Sequence, residues 1–159
     1  MRWILAILLA STVAAAAGGS RVERAEPAQV AVKDKDEVAE AAQEVFLALL
    51  AGDAQAVTDR SALPFVLENR TYRESEALLE EWVRQLGARR TDLLVLHGIE
   101  VLTPEEMETR FGAPPARLES FPWRSRGSLI AVGNLSGRAA VAVFRAVKKG
   151  EWRLIAYHD

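Results

Sequence analysis

The chain has 159 residues, a formal net charge of −2, 50% hydrophobic residues and no cysteine. That length suits one domain, which must hold its core without disulfides. Lys and Arg are scattered among acids, which excludes the basic stripe a nucleic-acid binder needs, and the absence of cysteine excludes a Cys-linked lipid.

The chain starts "MRWILAILLASTVAAAAGGS", with one positive charge at Arg2, an apolar run from Trp3 to Val13 and then small residues. This is the layout of a secretory signal peptide, and Ala15 and Ala17 form an A-x-A site. The expectation is that residues 1–17 are removed and that the mature chain begins at Gly18. The run falls short of the roughly 20 residues a bilayer span takes, and no other segment is long and apolar enough to span. The mature chain is therefore expected to carry no membrane span. The short basic start and Ala- and Arg-rich usage read as bacterial, placing the exported chain in the periplasm or outside the cell. Residues 18–33 read as a flexible lead before a domain over 34–159.

A helix is predicted from near Asp36, because Val38, Ala41, Ala42, Val45, Phe46, Leu49 and Leu50 form one apolar stripe, with Gly52 just past its end. Asp53 caps a second helix over 54–60. Pro64 then stops helix propagation, and Phe65–Leu67 reads as a short strand. Leu78, Leu79, Trp82, Val83 and Leu86 mark a third helix over 75–86. A long apolar strand is expected over 91–102. Thr103-Pro104-Glu105-Glu106 is a capping box that opens a short helix. Residues 112–127 form a long Pro-, Arg- and Gly-rich loop. "SLIAVGN", "RAAVAVFRAV" and "EWRLIAYHD" read as strands joined by hairpin turns.

The order is helices first, then hairpins. It predicts an α+β fold with three N-terminal helices packed on a curved, mostly antiparallel sheet. "FLALLAGDAQAV", "LPF" and the closing "GEWRLIAYHD" resemble the nuclear-transport-factor-2-like superfamily, over roughly 34–159. This is the cone-shaped fold shared with ketosteroid isomerase and scytalone dehydratase. The resemblance implies a pocket in the mouth of the cone, between helices and concave sheet. An isomerase of this type needs a carboxylate base where "SALPFVLENR" offers Pro64, Phe65 and Val66, and the first helix carries Phe46 rather than a Tyr. The superfamily spans enzymes and non-enzymes, so function does not follow from the fold.

Other chemical signatures are sparse. Two His and no Cys supply no metal-ligand spacing, and neither G-x-S-x-G nor a phosphate-binding glycine pattern occurs. No metal and no cofactor are expected, and catalytic residues stay unassigned. Two N-x-[ST] sequons, at Asn69 and Asn134, are of the kind that recurs by chance. Candidate ligand-binding residues are Tyr72, His97, Phe121, Trp123, Tyr157 and His158. Phe121 and Trp123 are read either as anchors of a loop flap that covers the cone mouth or meets a partner, or as part of a loop that patches the core. His97 is placed on an apolar strand face with Leu93, Val95 and Ile99. In the last strand Trp152, Leu154 and Ala156 share one face, with Arg153, Ile155 and Tyr157 on the other. Tyr157, His158 and Asp159 then form a pocket rim or a wet strand end. The long strands are apolar on both faces, which predicts a homodimer through the outer sheet face. The expected role is non-catalytic binding of a small apolar ligand or a protein partner. One alternative is a small-molecule isomerase, dehydratase or hydrolase using Tyr72, His97 or His158. Another is a structural domain with a filled cone.

Overall fold

The structure, a computed structural model, describes residues 32–113, 118 and 120–159. The expected leader and most of the lead, residues 18–31, lie outside the described residues. The long first helix, α1 (Val32–Ala51), buries Val38, Ala42, Val45, Phe46 and Leu49 on the stripe the spacing predicts. Gly52 reverses the chain at φ 70°, a left-handed value that glycine adopts without strain. Asp53 accepts a hydrogen bond from the Ala56 N–H at 2.9 Å and so caps α2 (Ala54–Asp59).

Two strands follow, β1 (Ser61–Leu67) and β2 (Arg70–Tyr72), joined by a tight turn. Strand β1 is longer than the three residues expected. Pro64 is accommodated inside it, where the register against its parallel neighbour shifts between Ser61 and Val66. Helix α3 (Ser75–Gly87) buries Leu78, Trp82 and Leu86, whereas Val83, counted into the stripe by sequence, is exposed.

The long strand expected over 91–102 is divided. Thr91–Leu93 is a 3-10 turn, and β3 (Leu96–Leu102) begins only at Leu96. Its pairing slips between Leu96 and Ile99. The extra residue of that bulge changes which side chains face inward. His97 is consequently exposed rather than set on an apolar face, and Leu93 and Val95 are exposed with it. Helix α4 (Pro104–Phe111) carries the complete capping box, Glu106 N–H to Thr103 Oγ1 at 3.2 Å and Thr103 N–H to Glu106 Oε2 at 2.8 Å. Then come β4 (Ser128–Leu135), β5 (Arg138–Lys148) and β6 (Glu151–His158).

The six strands form one curved, unclosed sheet in the order β2-β1-β6-β5-β4-β3, antiparallel except for β1 against β6. Helices α1 and α3 fill its concave side. Phe46, Phe65, Trp82, Phe144 and Tyr157 lie in one buried cluster with Leu78, Leu129 and Leu154. The convex side is also covered. Phe121 and Trp123 from the 3-10 turn region, with Met107 of α4, rest on Ile130, Val143, Ile155 and Ala156. This second layer explains why β4 and β5 are apolar on both faces. The apolarity from which the sequence reading expects a homodimer is used, over this area, within the chain.

A bulge in β6 changes the last strand as well. Val143 pairs with Ala156 and its neighbour Phe144 pairs with Leu154, so Ile155 is an extra residue. Strict alternation expects Tyr157 beside Ile155, but the bulge returns Tyr157 to the concave cluster and leaves Ile155 and Ala156 together on the convex one. Among the described residues no helix is long and apolar enough to cross a membrane.

Candidate functional site

The concave side holds no open mouth at its aromatic centre. The Trp82 ring sits 6.2 Å from Phe65 and 5.4 Å from Tyr157, and Phe46 lies 6.4 Å from Tyr157, all edge to face. Phe46 also presses on the backbone of β4 at Gly133. A Cβ there would come within 2.6 Å of the Phe46 ring, so any larger residue would force the ring or its helix to shift. Tyr157 is 2% exposed. Burial pushes its phenol well above the usual range, and the Asp159 carboxylate beside it adds to the shift. The phenol is held neutral.

At the end of β6 a polar cluster closes the sheet. The Glu68 N–H donates to the Tyr157 carbonyl at 3.0 Å, and the Asp159 N–H donates to Glu68 Oε1 at 3.3 Å. Glu68 faces His158 Nδ1, and Arg89 pairs with Asp159. Each of these contacts joins the strand end to a neighbour, the β1–β2 turn or the segment after α3. The cluster therefore ties down a terminus that the sequence reading leaves open as rim or frayed end.

An apolar crevice lies on the other side of the sheet. A crevice of about 90 Å³ opens between α4 and β4–β5, lined by Met107, Phe111, Leu118, Phe121, Trp123, Ile130 and Val141. Met107 and Phe111 stand one helical turn apart, so α4 presents both to the sheet. The floor is Ile130 and Val141, both on the convex face of their strands. Trp123 is fixed from behind: the Ser128 hydroxyl donates to its carbonyl at 3.1 Å. Phe111 is 55% exposed and forms the lip. Two guanidinium groups stand over two of the lining rings, Arg124 at 4.5 Å from Trp123 and Arg110 at 5.5 Å from Phe111. Arg124 pairs with Glu108, and Arg110 with Glu100.

The six sequence candidates thus divide into three groups. Phe121, Trp123 and His158 come together on the convex side, with the Phe121 and His158 rings 6.1 Å apart. Tyr157 and the half-buried Tyr72 lie on the concave side. His97 stands apart at the β3 bulge. Phe121 and Trp123 are 5% and 7% exposed and anchor their segment on the convex face, not over the cone mouth. Sequence reading missed Met107, Phe111, Leu118, Ile130 and Val141. The available signal was the Met107/Phe111 spacing next to strands apolar on both faces. Among the described residues no group of three His, Asp or Glu is placed to hold a metal ion.

No family model and no curated protein matches the chain. Solved structures do. A nuclear-transport-factor-2-like protein of unknown function from Pseudomonas putida KT2440 superposes with a TM-score of 0.51 at 13% identity, over 80% of this chain and 86% of that one. A second protein of that family, from Streptomyces avermitilis and provisionally assigned as a dehydratase, gives 0.49 at 13% identity, over 79% and 94%. The chain has the nuclear-transport-factor-2-like fold. At this identity the likeness extends to the fold alone.

Proposed function

We propose that the chain is an exported, non-catalytic binding domain that takes up a small apolar group in the crevice between α4 and the convex face of the sheet. The observation that carries this reading is an apolar crevice outside the cone, whose aromatic centre is filled. Phe46, Phe65, Trp82 and Tyr157 fill the cone, while the cavity under α4 is open and apolar. A small-molecule isomerase or dehydratase working in the cone needs a base beside room for substrate. Here the aromatic core takes that room. Export rests on the leader pattern of residues 1–17. A homodimer would use what the convex cover leaves open, the strip of Gly98, Glu100, Val132, Asn134 and Ala139 across β3–β5.

The test is methyl-resolved NMR of the mature chain titrated with 1-hexanol. Shifts confined to Met107, Leu118, Ile130 and Val141 support the reading. Shifts centred on Val45, Leu78 and Leu154 would place the ligand in the cone and overturn it.

A further inference from the structure

Resting on the crevice reading, we infer that the group bound there is the tail of a short-chain carboxylate, whose head meets Arg124 and Arg110 at the lip. Two observations carry this. First, each guanidinium is stacked on a crevice-lining ring, so both cations are held at the mouth rather than in open solvent. Second, neither is saturated. Arg124 engages Glu108 through Nη2 and Arg110 engages Glu100 through Nη1, and among the described residues the remaining N–H groups of both have no hydrogen-bond partner. A guanidinium carries five donors in a planar fork that matches a carboxylate.

The crevice also sets the tail. Its side-chain lining is wholly apolar, so a peptide backbone entering it would leave its amides without partners, at a cost a hydrocarbon does not incur. That favours a free acyl chain over a peptide terminus. A volume of about 90 Å³ compares with the roughly 150 Å³ cavity that holds a benzene ring. The open lip lets a chain of about four to six carbons fit with its head outside.

Calorimetric titration of the mature chain with hexanoate, 1-hexanol and hexylammonium tests the inference, because the three share a tail and differ in head. Hexanoate is expected to bind about tenfold more tightly than 1-hexanol, with hexylammonium weakest. Arg124→Gln and Arg110→Gln should each cut the hexanoate preference about threefold and leave 1-hexanol unchanged, which shows that the crevice is intact. Arg73→Gln, exposed after β2 at the opposite edge of the sheet, should change neither. Equal affinity for hexanoate and 1-hexanol, or a preference that survives both arginine substitutions, overturns the carboxylate inference and leaves the crevice reading standing. Absence of binding by all three overturns both.

Discussion

Replacing Gly133 with alanine probes how tightly the cone is filled. The new Cβ would lie 2.6 Å from Phe46 Cζ and 2.9 Å from both Cε atoms. Restoring an ordinary contact means a retreat of about 0.8 Å. Phe46 is fully buried and held edge-on by Tyr157, so the ring cannot swing aside and α1 itself must move. Overpacking of this kind costs about 1–3 kcal/mol. Alanine in a strand recovers roughly 0.5–1 kcal/mol relative to glycine. The expected net loss is about 1–2 kcal/mol, a fall in melting temperature of roughly 2–8 °C for a domain of this size. Urea titration of Gly133→Ala, Phe46→Leu and the double variant measures it. The shorter Leu relieves the clash, so the double variant should be about 1 kcal/mol more stable than the sum of the single losses allows. A Gly133→Ala protein as stable as the parent, with no coupling to position 46, would mean that the cone has spare room and that its filling has been misread.

Two further outcomes follow from the same geometry. The folded chain holds the Tyr157 phenol protonated above its unfolded value of about 10, so its contribution is complete below pH 10 and is lost as pH rises. Between pH 10 and 11 stability should fall by about 1 kcal/mol from this group, and Tyr157→Phe should remove that part of the fall; an unchanged slope would refute the assignment. Thr103→Ala removes the hydroxyl that accepts from the Glu106 N–H, while the Thr103 backbone N–H keeps its bond to Glu106, and should cost about 1 kcal/mol, with α4 loosened over Trp123, seen as a red shift in tryptophan emission; an unshifted spectrum would mean that α4 is held by its apolar contacts.

Elements with a local cause were legible in the sequence. The stripe of α1, the turn at Gly52, the Asp53 cap and the Thr103–Glu106 box each depend on residues within one or two turns of one another, and the structure contains all of them. What escaped depends on pairing partners far along the chain. A single extra residue in β6, fixed only by its register against β5, moved Tyr157 from one face to the other. The bulge in β3 likewise sent His97 to solvent. The apolar convex face was visible as a pattern in β4 and β5. Its cover was not, because Phe121 and Trp123 sit in a segment without period, and only the folded sheet gives them a surface to rest on. For the same reason the cavity was placed in the cone, where the resemblance points, while the aromatic rings that fill it were scattered over α1, β1, α3 and β6.

Xenon binding to crystals of the mature chain tests the central claim most directly, because xenon enters dry apolar cavities and reports their position. The account predicts density between Met107, Phe121, Trp123, Ile130 and Val141, on the convex side of the sheet, and none between Phe46, Trp82 and Tyr157. Xenon among those three rings, with the crevice under α4 empty, would contradict it.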